Sequence, residues 1–325
     1  GVRFPFSAVF SASTVKKLAS MVDENAGVKS GNIKDSCSCS SAPRTTPLVP
    51  LVKTGSKPPL FFVHPAFKTA ICFGALAFHL GSDQPFYGLE PRRDYTSIED
   101  MASDYIKAIK EVQKSGPYRI GGWSFGSTVA YEMARQLQAA GIQVDMLALL
   151  DGRAPIYTAA AEADLDLDAA VLCTLCKGSK QFLGFELEVN YSDVKGLGPD
   201  QRLAHVFKKA IEADALSQID PVVGASFFFR FQKDILDGEL LVRKYNPSSL
   251  YKGSVTLFRS KQKASIKGLK DPLLDSTTLG WDQFCSVVNV IDTDSDHYSI
   301  VFEPHVQELA TKIGDHLANL DASIH

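Results

Sequence analysis

Apolar positions follow two alternating patterns along the chain from residue 48 to residue 320. Short apolar runs predict buried strands, and longer stretches with an apolar residue every three or four positions predict amphipathic helices. The predicted strands are 60–63, 86–89, 118–123, 146–150, 254–258 and 287–291, and the predicted helices are 70–80, 98–113, 128–140 and 301–320. This alternation predicts an α/β domain over 48–320, with a mostly parallel sheet covered by helices on both faces.

The alternation is interrupted between residues 151 and 246, where the pattern is mainly helical. The candidate helices there are 167–182, 199–215 and 222–245. A long insertion directly after a strand end is typical of a lid over a substrate site, and we place this lid at about 155–248. Its phenylalanines either line an apolar substrate pocket, with Phe228 as the candidate, or form the core of the lid itself. They are Phe182, Phe185, Phe227, Phe228, Phe229 and Phe231.

The residues before position 48 have a different character. Apolar residues within 1–26 recur at helical spacing, which predicts a short amphipathic helix. Residues 27–47 are rich in Gly, Ser, Cys, Pro and Thr without periodicity, so we expect a flexible linker. The first residues include neither an initiator Met nor a signal-peptide pattern, and we expect the chain to be part of a longer polypeptide.

Composition narrows the possible functions. The chain has 325 residues, of which 45% are hydrophobic, and its formal net charge is −3. The slight negative charge gives no basis for a nucleic-acid partner, and no apolar run is long enough to predict a membrane span. Cys173 and Cys176 lie in an apolar helical pattern, which favours buried thiols over a metal site. Because the six cysteines are scattered, no disulfide framework is expected, and a reducing, cytoplasmic compartment follows.

Residues 122–126 read Gly-Trp-Ser-Phe-Gly and lie between a predicted strand and a predicted helix. A G-x-S-x-G pentad in that context indicates the nucleophile elbow of an α/β-hydrolase, where a strained turn raises the serine above the sheet. The flanking glycines leave room for the close approach of strand and helix. Ser124 is therefore the candidate nucleophile.

A serine hydroxyl needs a base to accept its proton and a third group to orient that base. In this fold the order along the chain is serine, acid, histidine. Asp151 directly follows a predicted strand and is the candidate acid, although a helix cap or a loop turn would also explain it. His297 lies between the last strand and the final helix and is the candidate base. The rival acids are Asp292, Asp294 and Asp296, whose density also suits a solvated turn.

The loop after the first strong strand begins with His64, Pro65 and Ala66. This loop is expected to supply one backbone N–H of an oxyanion hole, and the residue after the nucleophile, Phe125, supplies the other. Because proline has no N–H, Ala66 is the natural donor. His64 is assigned to loop structure or pocket lining and not to proton transfer.

Several blocks of sequence together resemble one family. They are Pro59–Ala66, Gly121–Gly126, Val129–Arg135, Gly253–Arg259 and Asp296–Ile300. In this order they resemble the C-terminal type I thioesterase domain of nonribosomal peptide and polyketide synthases, over roughly 48–320. The start of the chain, within 1–26, resembles the last helices of a carrier-protein domain, but the serine motif that bears phosphopantetheine is absent.

Two departures from the family pattern bear on substrate preference. Ser127 follows Gly126 where the family has a second glycine, and Phe67 and Lys68 replace glycines in the first loop. Bulkier residues there would narrow the pocket or alter the oxyanion loop. Phe67, and Trp123 beside the nucleophile, are accordingly further candidates for pocket lining.

The resemblance implies a chain-terminating thioesterase with no cofactor and no metal of its own. Its substrate would be an acyl, peptidyl or polyketide thioester on the phosphopantetheine of an upstream carrier domain, its one expected macromolecular partner. An acyl-enzyme on Ser124 would then be released by water or by an internal nucleophile, as an acid or a cyclised or condensed product. The alternatives are a free-standing carboxylesterase or lipase, a non-catalytic carrier-docking module, and an editing thioesterase.

Overall fold

The structure is a computed structural model that describes residues 46–157, 164–185, 187–213 and 221–323. The helix predicted within 1–26 and nearly all of the predicted linker lie outside the described residues. The chain divides into two compact units, here called the helical unit and the sheet unit. The described residues of the helical unit fall within Asp166–Gln232 and Ile266–Gly268, and those of the sheet unit within Arg44–Leu165, Lys233–Ser265 and Leu269–His325.

The described part of the sheet unit contains a seven-stranded sheet in the order β1-β3-β2-β4-β5-β6-β7. Its strands are β1 (Leu48–Val52), β2 (Leu60–Val63), β3 (Phe86–Leu89), β4 (Tyr118–Trp123), β5 (Val144–Leu150), β6 (Tyr251–Gln262) and β7 (Cys285–Asp296). β1 is antiparallel to β3, and every other neighbouring pair is parallel. The mostly parallel sheet predicted from the alternation is therefore confirmed.

The strands at the centre of the sheet carry its core. Every residue of β2 and β4 is buried, as expected of parallel strands covered on both faces. β6 and β7 each have 12 residues and are much longer than the predicted 254–258 and 287–291. Their polar ends carry no hydrophobic signal, but the ladder continues to the pairing of Gln262 with Asp296. Because β7 extends to Asp296, His297 is the first residue after the strand.

Helices of the sheet unit follow the predicted pattern with shifted ends. They are α1 (Gly74–Leu80), α2 (Ile98–Val112), α3 (Phe125–Ala139) and α8 (His305–Ser323). The Ser97 hydroxyl caps α2 by accepting a hydrogen bond from the Asp100 N–H at 3.1 Å. α8 begins four residues after the predicted start at 301, because Pro304 disfavours helical geometry in the residue before it.

The inserted segment is helical, as predicted. It contains α4 (Leu167–Leu183), α5 (Tyr191–Val194), α6 (Pro199–Glu212) and α7 (Pro221–Lys244). The three long helices match the predicted ones to within a few residues, and the short α5 was not predicted. α7 contributes residues to both units. The role of this segment as a lid stays a prediction.

Cys173 and Cys176 lie buried on α4. Their burial agrees with the predicted buried thiols, and it raises the pKa of the Cys173 thiol to about 11 and also raises the pKa of Cys176. Within the described ranges, no helix combines the length and the apolar character that a membrane span requires.

Candidate active site

The turn between β4 and α3 holds Ser124 in a strained backbone conformation. Its φ is 56° and its ψ is −119°, a region that costs a non-glycine residue about 1–3 kcal/mol. A Cβ at Gly122 would overlap the Gly126 carbonyl, and a Cβ at Gly126 would overlap the Val63 carbonyl. Because strand, turn and helix approach so closely, both glycines are required, and the side chain of Ser124 is left at the carboxyl edge of the sheet.

Three candidate side chains form one hydrogen-bonded chain. His297 Nε2 lies 3.0 Å from Ser124 Oγ, and His297 Nδ1 lies 2.9 Å from Asp151 Oδ2. A carboxylate can only accept, so the proton belongs on Nδ1 and Nε2 is left to accept from the serine hydroxyl. This arrangement would allow His297 to accept the proton of Ser124.

The candidate acid is held by two hydrogen bonds to the neighbouring strand β6. Asp151 follows β5, has a φ of 47°, and donates its backbone N–H to the Phe258 carbonyl at 2.9 Å. Its Oδ1 accepts a hydrogen bond from the Ser260 N–H at 2.7 Å. One residue later, the Gly152 carbonyl accepts from Trp281 Nε1 at 2.7 Å. Neither Ser260 nor Trp281 carries a local sequence signal for this role, since each is brought in by the β6 and β7 region.

The carboxylates of two of the three rival acids near His297, Asp292 and Asp296, bind other partners. Asp292 pairs with Arg259 at 2.8 Å. Asp296 Oδ1 accepts hydrogen bonds from the backbone N–H groups of the two residues after His297, at 2.8 and 2.9 Å. Asp294 donates its N–H to Glu308 at 2.9 Å. Among the described carboxylates, Asp151 is the one hydrogen-bonded to the His297 ring.

The two expected oxyanion donors are neighbours. Phe125 is the first residue of α3, where backbone N–H groups have no partner within the helix. A Cβ at Gly238 of α7 would lie 3.2 Å from the Phe125 ring and 3.5 Å from the Ala66 Cβ. α7 thus packs over both residues at Gly238, where a side chain would crowd the Phe125 ring. The sequence offered no signal for this contact, because it depends on a helix distant in the chain.

The turn after β2 is anchored by buried and charged groups. His64 is 1% exposed, and burial lowers the pKa of its imidazole to about 4. Lys68 has a φ of 60° and pairs with Asp234 at 2.8 Å and Asp237 at 3.2 Å, both on α7. Desolvation by burial lowers the pKa of Lys68, but the hydrogen bonds and opposite charges of these aspartates outweigh it, so the pKa is raised from its ordinary value. Lys68, one of the departures from the family pattern, thus connects the turn to α7 by ion pairs.

The other departure lies beneath the elbow. Ser127 is fully buried, and its Oγ donates a hydrogen bond to the Gly122 carbonyl at 3.0 Å. Its side chain fills the space next to Gly152, where a Cβ would overlap it. The hydroxyl therefore connects the start of α3 to β4 and takes no part in the hydrogen-bonded chain of Ser124, His297 and Asp151.

The candidate pocket residues have different surroundings. Trp123 is buried, and its Nε1 donates to the His297 carbonyl at 3.1 Å, so it supports the backbone of the candidate base. The half-buried Phe67 ring packs against Trp123 with centroids 5.6 Å apart. Both ring nitrogens of His64 are hydrogen-bonded, which favours its loop-structure assignment. Phe228 is buried in the helical unit, and its place in a substrate pocket stays a prediction.

Comparisons with known proteins give the family. Residues 58–193 match the family model of the thioesterase domain. A dimodular nonribosomal peptide synthase of Bacillus subtilis (strain 168) is 31% identical over 266 residues, which cover 80% of this chain and 10% of the relative. The chain thus spans about a tenth of the length of that relative.

Solved structures agree. A four-domain nonribosomal peptide synthetase, crystallised with AMP and glycine, has a TM-score of 0.67 at 26% identity, covering 97% of this chain and 22% of that one. The Vlm2 thioesterase domain, bound with a dodecadepsipeptide, has a TM-score of 0.57 at 21% identity, covering 83% of this chain and 98% of that one. At that identity the second likeness speaks for the fold alone, which is the expected α/β-hydrolase fold. Residues 58–193 therefore belong to the thioesterase domain family, and the synthase of Bacillus subtilis and the four-domain synthetase, which the chain resembles over a greater length, are nonribosomal peptide synthetases.

Proposed function

We propose that this domain is the chain-releasing thioesterase of a synthetase, with Ser124 as nucleophile, His297 as base and Asp151 as the acid that orients it. The observation that carries the proposal is the continuous hydrogen-bonded chain from the Asp151 carboxylate through the His297 ring to the Ser124 hydroxyl. This arrangement is the general means of activating a serine. Family membership supports the same reaction.

Acylation follows from that arrangement. His297 Nε2 takes the hydroxyl proton while Ser124 Oγ forms a bond to the thioester carbonyl carbon. The carbonyl oxygen becomes an oxyanion, which the N–H groups of Ala66 and Phe125 stabilise by hydrogen bonds. The carbon–sulfur bond then breaks, the leaving thiol takes the proton from His297, and an ester on Ser124 remains. Asp151 stabilises the transient imidazolium by its charge.

Release of the acyl group needs a second nucleophile. Water, activated by His297 in the same way, yields a free acid, and a hydroxyl, amine or carbon nucleophile within the acyl chain yields a cyclised or condensed product. In the proposed reaction the acyl group arrives on the phosphopantetheine of an upstream carrier domain, and the chain supplies no cofactor of its own. Cytoplasmic location stays a prediction.

The proposal is tested by the choice between thioester and ester. The protein is incubated with octanoyl-N-acetylcysteamine and, separately, with ethyl octanoate, and turnover and the intact protein mass are followed. We expect preferred turnover of the thioester and an octanoyl adduct on Ser124. Preferred turnover of the ester would instead indicate a carboxylesterase.

A matched pair of serine variants completes the test. Ser124→Ala should abolish the adduct and the release of a carrier-bound product. Ser82→Ala changes an exposed serine and should leave both unchanged. Product release that survives in Ser124→Ala would contradict the proposal and indicate a domain that only docks the carrier.

A further inference from the structure

His64 makes two hydrogen bonds that the proposed proton transfer does not use. Its Nδ1 lies 2.6 Å from the Pro65 carbonyl oxygen, and its Nε2 lies 3.0 Å from the Tyr105 hydroxyl. Tyr105 belongs to α2 and is fully buried. The ring is therefore fixed at both ends within the core.

The partners of His64 determine which nitrogen carries the proton. A carbonyl oxygen can only accept, so Nδ1 carries the hydrogen and donates it to Pro65. Burial lowers the pKa of His64 to about 4, which leaves the ring neutral near pH 7, and Nε2 must accept. The Tyr105 hydroxyl donates to it, and burial raises the pKa of that phenol so that it keeps its proton.

The carbonyl that His64 holds belongs to the peptide that carries a proposed oxyanion donor. The Pro65 carbonyl and the Ala66 N–H form one planar peptide unit, and in the trans form they point in opposite directions. The Pro65 carbonyl also accepts the Lys68 N–H at 3.0 Å. Fixing this carbonyl toward the His64 ring therefore fixes the opposite direction of the Ala66 N–H.

The held peptide lies beside the nucleophile elbow. The His64 ring stacks on the Phe125 ring, with centroids 5.6 Å apart and an angle of 25° between the planes. Gly126 packs against the carbonyls of Val63 and His64 so closely that a Cβ would overlap both. The end of β2, which leads to Ala66, and the start of α3, which carries Phe125, are therefore in direct contact.

We propose that His64, itself held by Tyr105, is a positioning residue that keeps the Pro65–Ala66 peptide turned so that the Ala66 N–H faces the reacting carbonyl at Ser124. This inference rests on the function proposed above. A flip of that peptide would replace the N–H with a carbonyl oxygen and would repel the oxyanion. The rate of acylation then depends on a hydrogen bond that never touches the substrate.

Two substitutions at position 64 separate this role from packing. The amide nitrogen of asparagine can take the place of Nδ1, whereas the amide of glutamine lies nearer the place of Nε2. In single-turnover acylation with octanoyl-N-acetylcysteamine, His64→Gln should be slowed about 10²-fold with KM changed by less than about threefold. His64→Asn should stay within about tenfold of the unsubstituted protein, because it keeps the hydrogen bond to Pro65 and loses only the one to Tyr105.

An inhibitor that forms a tetrahedral adduct supplies a second readout. An alkyl trifluoromethyl ketone should lose affinity in His64→Gln by the same factor as the acylation rate, since its adduct with Ser124 carries the oxyanion. Equal losses in the Asn and Gln variants, or an unchanged acylation rate in folded His64→Gln, would overturn the proposal.

Tyr105→Phe keeps the test decisive if His64→Gln does not fold. It removes one oxygen, and folding is checked by near-ultraviolet circular dichroism. We expect acylation to slow about tenfold at unchanged KM, and an unchanged rate would refute the claim that Tyr105 holds the His64 ring.

The acyl adduct distinguishes failure of this inference from failure of the proposed function. If no acyl adduct forms on Ser124 in the unsubstituted protein, the proposed function itself is wrong. Adduct formation with unaffected His64 and Tyr105 variants would refute the positioning role alone.

Discussion

The turns that follow β2 and β7 each carry a histidine with the same hydrogen-bond pattern. In both, Nδ1 donates to an oxygen that can only accept, and Nε2 faces a hydroxyl. For His297 the partners are the Asp151 carboxylate and the Ser124 hydroxyl. For His64 they are the Pro65 carbonyl and the Tyr105 hydroxyl. The same ring in the same tautomer is thus used twice beside one elbow.

The surroundings give these two histidines different capacities. The side chain of His297 is 23% exposed and faces a carboxylate, so a proton taken from Ser124 meets a compensating charge. His64 is 1% exposed and donates to a neutral carbonyl, so an imidazolium there would be buried without a hydrogen-bonded counter-charge. A partner charge and partial access to solvent therefore distinguish the proposed base, His297, from the proposed positioning residue, His64.

Removing the charge of the Asp151 carboxylate is the most direct test of the difference between the two histidines. In Asp151→Asn, an amide can donate to His297 Nδ1 and so favours the tautomer with the proton on Nε2, which cannot accept from Ser124. We expect kcat for thioester hydrolysis to fall on the order of 10³–10⁴-fold. Asp292→Asn, which changes a carboxylate paired with Arg259, should stay within about twofold. A similar loss in both variants would show that Asp151 has no special role.

The dependence of stability on pH tests whether His64 is buried as a neutral ring. The pKa of His64 is about 4 when folded, against an ordinary value of 6.5, so between these values the unfolded chain binds a proton that the folded protein excludes. The free energy of unfolding therefore falls as the pH falls from 6.5 to 4. Glu90 and Asp234 raise this pKa and Lys68 lowers it, but desolvation by burial is the largest cause.

His64→Asn removes the titrating ring and should remove this dependence. Between pH 7 and pH 4.5 the unsubstituted protein should lose about 2 kcal/mol more stability than the variant, measured by urea unfolding. Other titrating groups are common to both proteins and cancel in the comparison. Parallel pH profiles would mean that His64 can be protonated without cost and would erase the difference between the two histidines.

The ion pairs of Lys68, which anchor the turn after β2, should contribute only a little to the stability of the protein. Lys68→Ala and Lys68→Gly both remove the ion pairs with Asp234 and Asp237, which are worth up to about 1 kcal/mol at a partly exposed site. Glycine also relieves the positive φ of 60°, so Lys68→Gly should be more stable than Lys68→Ala by about 1 kcal/mol. Thermal unfolding of the pair measures this difference. If alanine is equally stable, the turn changes its conformation when the ion pairs are lost.

The local sequence pattern predicted much of the fold. It failed where the ends of an element are determined by contacts with residues distant in the chain. The strand-and-helix alternation and the helices of the insertion follow from periodicity that each segment carries by itself. α3 was predicted to begin at 128 but begins at Phe125, because Gly126 and Ser127 are poor helix formers in isolation and are held by packing against β2 and β4. The predicted carrier remnant within 1–26 and the lid role of the insertion stay predictions.

By itself the sequence determined the order of strands and helices, the elbow around Ser124 and two positions, 151 and 297, at strand ends. Only the tertiary structure decided which of several aspartates meets His297 and that His64 is turned toward Tyr105 and Pro65. The physical reason is that hydrophobic periodicity is a local property, whereas a hydrogen bond joins side chains 146 or 173 residues apart. Such pairs are brought together by the order of strands in the sheet, which no single segment encodes.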